Sequence, residues 1–156
     1  VNRIAVMQIG IASDHGGFEL KEELKLYLKS MGHEPIDLGT FNEESVDYPD
    51  YGILVAEKIS KGDLKKGILI CGTGIGMSIT ANKFRGVRAA LVNDLFSARF
   101  CREHTDANIL VIGGRIVGKE VAREIVRIWL ETPFTGERHQ RRLEKIEALE
   151  KKNFKF

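Results

Sequence analysis

The chain has 156 residues, one domain's worth of length, with 24 Lys and Arg against 22 Asp and Glu for a net charge of +2. That near-balance argues against a dedicated nucleic-acid binder, and 43% apolar with 29% charged residues excludes a disordered chain. Two cysteines, Cys71 and Cys101, cannot frame a disulfide scaffold, and no apolar run reaches the ~18 residues of a membrane span. The expectation is a soluble cytoplasmic protein, with neither nucleic acid nor membrane as partner and no secretory leader.

Residues 1–6 read as an N-terminal extension, because the run from Met7 to Ala12 makes a complete start and first strand. Five short apolar runs then follow as strands at residues 8–13, 34–37, 67–71, 88–92 and 108–112. Amphipathic stretches separate them. Leu20, Leu24, Leu28 and Met31 keep helical spacing, as do Val121, Ile125, Ile128 and Trp129. Strands alternating with helices of this length predict βαβ units with right-handed crossovers. The fold expected is a Rossmann-like three-layer αβα sandwich on a five-stranded parallel sheet. Pro133 ends the fifth helix. A last helix over about 138–152 has no strand after it, so it completes no sheet and is expected at a subunit interface. Residues 1–156 are read as a single domain.

Open parallel sheets bind ligands outside the carboxyl ends of their strands. Those ends carry Asp14-His15-Gly16-Gly17, Cys71-Gly72-Thr73-Gly74-Ile75-Gly76, Asn93-Asp94 and Gly113-Gly114-Arg115. The glycine loop 71–76 is the strongest signal, since it brings backbone N–H groups close to a bound anion ahead of a helix. It matches neither a dinucleotide G-x-G-x-x-G nor a C-x5-R phosphatase loop, because position 77 is Met77. Cys71 is then either a small buried hydrophobe or a thiol placed to ionise beside the helix start. The run from Gly113 to Lys119 imitates a P-loop, but Glu120 stands where Ser or Thr must hold Mg²⁺. Arg115 is better read as a lone phosphate or carboxylate contact.

Among the histidines, His33 reads as a solvated turn residue and His15 as a site residue. His104, at a helix end, is a site residue or a plain helix-stabilising histidine. No His or Cys pair has metal-ligand spacing, and no metal or other cofactor is expected. On the last helix Leu143, Ile146 and Leu149 define an apolar stripe. His139 and Arg142 fall inside its arc, Arg138 lies at its edge and Arg141 points away. Arg138 and Arg142 can grip one phosphate or form a structural salt bridge.

With these pieces in order along the chain from Met7, the sequence resembles the type B ribose-5-phosphate isomerases. They belong to a larger family that includes galactose-6-phosphate and allose-6-phosphate isomerases. The matching segments are 13–17, Asp47-Tyr48-Pro49, 71–76, Ala81-Asn82-Lys83, 104–108, 113–115 and 136–142. The resemblance implies a cofactor-free aldose–ketose isomerase of the pentose phosphate pathway. Cys71 would be the proton-transfer base, His104 the ring-opening residue, and Thr73 and Asp14 their catalytic companions. His15, Arg115, Arg138 and Arg142 would hold the phosphate, and Gly72, Thr73, Gly74, Ile75 and Gly76 the developing anion. Asp14, Thr105 and Asn108 would contact the sugar, with Thr105 standing where many relatives have Asn. Another branch uses a glutamate base where this chain has Met77, which puts the chain in the cysteine branch. The resemblance also implies a homodimer or dimer of dimers whose sites are lined by both chains. The alternatives are a six-carbon sugar phosphate as substrate and, from another class, a non-catalytic nucleotide- or phosphate-binding module.

Overall fold

Strand β1 (Gln8–Ser13) is buried at every position after Gln8, as befits a strand covered on both faces. In the computed structural model, which describes residues 5–155, it pairs in parallel with β2 (Glu34–Asp37) on one side and β3 (Lys66–Cys71) on the other. Strand β5 (Ile109–Gly113) pairs with β3, and β4 (Ala89–Leu91) closes the far edge. The sheet therefore runs β2-β1-β3-β5-β4. Of the stretch read as an extension, residues 1–4 lie outside the described residues, and 5 and 6 are exposed chain ahead of β1.

Right-handed crossovers decide where the helices go. Steps that move toward β2 or back from β4 put α1 (Phe18–Ser30) and α4 (Leu95–Glu103) on one face, joined there by α5 (Lys119–Glu131). Steps in the other direction put α2 (Tyr48–Ser60) and α3 (Ile75–Ala81) on the opposite face. Each face has its own core. Leu20, Leu24 and Leu28 of α1 meet Ile125 and Trp129 of α5 over Ile11, Ile70 and Ile112. Val55, Met77 and Ala81 pack over Leu69, Cys71 and Val111 on the other side.

The α1 stripe is buried as the spacing predicts. The α5 stripe is shifted by one position, because Val121 is exposed while Ala122, Ile125, Val126, Trp129 and Leu130 are buried. Residues one and five places along a helix share a face, and the indole N–H of Trp129 fixes which face turns inward by donating to the Ala107 carbonyl at 3.1 Å. His33 is a second correction. It is not solvated but 4% exposed, and its Nδ1 accepts from the Met7 N–H at 3.3 Å, so the turn before β2 folds over the start of β1.

Helix α6 (Arg138–Asn153) leaves the layers after α5 and lies at the amino end of the sheet, where Glu150 accepts from the Gly86 N–H at 2.9 Å. Its only buried residue is His139. Ile146 and Leu149 stay exposed in the single chain, and Arg142 is exposed rather than turned inward. Phe154 is half-buried, and Phe156 lies outside the described residues. Among the described residues no helix is long and apolar enough to cross a membrane.

Candidate active site

The carboxyl end of the sheet gathers one group of the predicted residues. Asp14 closes a single 3₁₀ turn (His15–Gly17) by accepting from the Gly17 N–H at 3.1 Å, which holds this buried carboxylate at the tip of β1. His15 accepts at Nδ1 from the Val46 N–H at 3.1 Å, so a neutral imidazole carries its proton on Nε2. Cys71 ends β3, 4% exposed, with its side chain on the α2/α3 face. The Gly114 and Arg115 N–H groups donate to the Cys71 and Gly72 carbonyls at 2.8 and 2.9 Å, which locks the two glycine-rich loops side by side. The Arg115 side chain lies across both other loops. A Cβ placed on Gly72 would come 3.5 Å from its Nη1, and one on Gly16 3.6 Å from its Nη2.

Local rules explain the loop. Gly74 has φ +82° and serves as the residue before α3, a conformation that a side chain disfavours. Thr73 Oγ1 accepts from the Ile75 N–H at 3.2 Å, so its own proton remains free to point outward. Gly76 lets the Tyr48 ring lie directly against the backbone. Two further participants, Tyr48 and Asn93, stand out in the sequence only as members of a motif and of a strand end, with no site role assigned. The motif is Asp47-Tyr48-Pro49, and Asn93 accepts at Oδ1 from the Gly113 N–H at 3.0 Å, steadying the start of the Arg115 loop.

The remaining predicted residues lie at the opposite end. Helix α4 runs antiparallel to the strands, so its last residues return to the amino end of the sheet. His104 caps that helix end, its N–H donating to the Phe100 carbonyl at 2.9 Å. Thr105 donates through Oγ1 to the Cys101 carbonyl at 2.6 Å, which spends its proton on the helix end and leaves the oxygen as an acceptor. Asn108 precedes β5 and spans the loop before β4, donating to the Gly86 carbonyl at 2.9 Å and accepting from the Arg88 N–H at 2.8 Å. Within one chain it therefore braces the end of the sheet opposite Cys71. Cys71 is in register with Gly113, five residues on from Asn108, so about 16 Å of strand separates the two groups.

Arg138 and Arg142 accompany His104 on α6. Among the described residues neither makes a salt bridge within the chain, and the same holds for Arg115. His139, between them, stacks on His104 with ring centroids 4.2 Å apart and planes 13° from parallel. Burial first, then the positive charges of His104, Arg138 and Arg142, pushes the His139 pKa below the ordinary value, against the opposing pull of Glu137. No group of three or more His, Cys, Asp or Glu among the described residues is arranged to hold a metal ion. A cleft of about 450 Å³ opens between α6 and the loop 85–88, but none of the predicted site residues lines it.

A parallel α/β sheet with an amide-rich loop, a thiol and unpaired guanidiniums describes an enzyme class that handles small phosphorylated anions. The comparisons narrow this to one family. The family model described as Ribose/Galactose Isomerase matches residues 9–146, and the chain belongs to that family. Ribose-5-phosphate isomerase B of Escherichia coli is 46% identical over 145 residues, covering 93% of this chain and 97% of the relative. Galactose-6-phosphate isomerase subunit LacB of Clostridium acetobutylicum is 41% identical over 128 residues, covering 82% and 74%. The solved structure of ribose-5-phosphate isomerase B from Clostridium thermocellum superposes with a TM-score of 0.93 at 53% identity, covering 95% of this chain and all of that one. The branch with a glutamate base is disfavoured by packing here, since Met77 is fully buried with its sulfur toward Gly52.

Proposed function

We propose that the chain interconverts D-ribose 5-phosphate and D-ribulose 5-phosphate through an enediolate, with Cys71 as the base and no cofactor. The observation that carries the reading is the buried thiol of Cys71 at the head of a loop of backbone amides whose first residue, Gly72, lies against the Arg115 side chain. Likeness to ribose-5-phosphate isomerase B proteins in sequence and in structure supports the same substrate. Each active site is proposed to draw on two copies of the chain, in a homodimer or dimer of dimers acting in the cytoplasm. The separation of about 16 Å between the two groups of residues supports this, because nothing in one chain folds one group onto the other. The exposed apolar side chains Tyr48, Ile75, Ile79, Leu95 and Phe96 around the carboxyl end supply a surface to be covered.

The chemistry follows from these positions. His104, from the amino-end group of one copy, moves the proton of the anomeric hydroxyl to the ring oxygen, which opens the furanose to the C1 aldehyde. The Cys71 thiolate of the other copy removes the C2 proton. The electron pair left on C2 forms the C1–C2 double bond, and the C1 oxygen becomes the enediolate oxyanion. The amides of residues 72–76 and the Thr73 hydroxyl are the donors for that oxygen, and one such donor typically contributes about 2.7–4 kcal/mol in the transition state. Cys71 then returns the proton to C1 while the C2 hydroxyl proton passes to the C1 oxygen, leaving a C2 carbonyl and a C1 hydroxyl, the ketose. Arg115 and His15 of one copy and Arg138 and Arg142 of the other hold the phosphate throughout.

The test is direct. Purified protein is incubated with ribose 5-phosphate, allose 6-phosphate and galactose 6-phosphate in parallel, and ketose formation is followed. Ketose formed fastest from ribose 5-phosphate is the expected result. Preference for a six-carbon substrate, which the LacB relative makes the second reading, would replace the substrate. No ketose from any of the three would remove the isomerase reading.

A further inference from the structure

We propose that His139 is a positioning residue for His104: the stacked ring of His139 holds the His104 imidazole in the orientation that ring opening requires. The proposal rests on the isomerase reading above and deepens it.

Two distant segments are tied together to make this contact. Thr135 donates to the Glu103 carbonyl through both its N–H, at 3.2 Å, and its Oγ1, at 2.8 Å, which fastens the α5–α6 connection to the last residue of α4. Gly136 and Glu137 then turn sharply with φ of +70° and +53°. The His139 N–H donates back to the Gly136 carbonyl at 3.0 Å, so the second residue of α6 is delivered beside the cap of α4. Glu137 in that region is a strained choice for a residue with a side chain, and the surrounding contacts must hold it there. His104 ends up between two rings, His139 at 4.2 Å and nearly parallel, and Phe100 at 4.8 Å and tilted by 58°. A side chain at a helix end would otherwise sample several rotamers; two flanking rings leave it one plane.

The charges around the stack fit the same role. From α4 come Arg99 and Glu103, paired with each other at 2.8 Å, and from the connection comes Glu137. From α6 itself come Arg138 and Arg142. Burial, with the neighbouring His104, Arg138 and Arg142, favours the uncharged form of His139. An uncharged ring can stay stacked while its neighbour takes up and releases a proton. A charged one would oppose each proton transfer by like-charge repulsion.

Ribulose 5-phosphate separates ring chemistry from enolisation, because its C5 oxygen carries the phosphate and the ketose cannot close to a furanose. Exchange of its C1 hydrogen into deuterated water therefore reads the Cys71 step without ring opening. In the assembled enzyme, His139→Ala is expected to lower kcat on ribose 5-phosphate about 2- to 10-fold, the population factor that one aromatic pair supplies. KM should move less than twofold and C1 exchange from ribulose 5-phosphate should stay at the unsubstituted rate. His139→Phe, which keeps the plane and removes the ring nitrogens, should recover most of the lost turnover. The His104 Cε1–H resonance should shift in His139→Ala, through loss of the ring current, and much less in His139→Phe. A raised KM with kcat intact would make His139 a phosphate ligand and overturn the proposal. So would a Phe variant as impaired as the Ala variant, or C1 exchange that falls in step with turnover. Absence of both ketose formation and C1 exchange in the unsubstituted protein would remove the isomerase reading, and the proposal with it.

Discussion

Replacing Gly74 by Ala perturbs the loop that the proposed chemistry depends on most. Gly74 has φ +82°, where an L side chain costs about 1–2 kcal/mol. The added methyl would also press on Leu91 Cδ1, with the Ile112 carbonyl carbon at 3.2 Å and the Gly113 N at 3.3 Å. Those neighbours are backbone of β5 and cannot step aside, so crowding adds about 1–3 kcal/mol. The sum, about 2–5 kcal/mol, corresponds to a melting temperature lower by roughly 4–20 °C in a chain of this size. Gly118→Ala is the control, since Gly118 has φ −70° and nothing within 4 Å of an added Cβ. Calorimetry at matched protein concentration should find Gly118→Ala within about 0.5 kcal/mol of the parent. Displaced amides should also lower the turnover of Gly74→Ala by about 100-fold or more. A Gly74→Ala protein that melts within a degree of the parent and turns over normally would refute both the left-handed loop and its role.

Cys71→Ala should abolish isomerisation while leaving the calorimetric affinity for the sugar phosphate within about threefold, because the thiol acts on a carbon-bound proton and not on the phosphate; near-normal turnover would remove Cys71 as the base. Arg141→Ala, on the exposed side of α6 away from Arg138 and Arg142, should leave kcat and KM within about twofold. Lys66 lies 5.0 Å from the Trp129 ring, and burial, with help from Arg102, pushes its pKa from 10.5 down to about 8. The folded chain therefore binds fewer protons than the unfolded one between about pH 8 and 10.5, and stability rises across that window by up to about 3 kcal/mol. Urea unfolding at both ends of the window should show that increment shrink in Lys66→Met, and an identical pH dependence in the two proteins would contradict it.

The sheet was legible because its strands are short apolar runs, and β1 and β2 fall on the predicted residues. What local pattern could not supply was spatial order. Strand β4 is only three residues long and sits at the edge beyond β5, a placement that long-range pairing decides. His33 shows the same limit: a polar residue in a turn looks solvated until the start of β1 is known to cover it. For the site, the rule that ligands gather at strand carboxyl ends brought out Asp14, His15, the 71–76 loop and Arg115. His104, Thr105 and Asn108 were carried over by resemblance, and a motif does not say which end of the sheet its residues occupy. The direction of α4 does. The His104–His139 stack joins residues 35 positions apart through a turn with two positive φ values, which no helical wheel contains.

Subunit mixing tests the shared site most directly. Cys71→Ala and Arg142→Ala proteins, each inactive alone, are combined in equal amounts and allowed to exchange subunits. Half of the resulting dimers are then mixed, and each mixed dimer has one site with both substitutions and one with neither. If Cys71 and Arg142 of one site come from different copies, activity should recover to about a quarter of the unsubstituted enzyme. No recovery, with exchange verified by mass spectrometry, would put both residues of a site in one chain and contradict the two-copy arrangement.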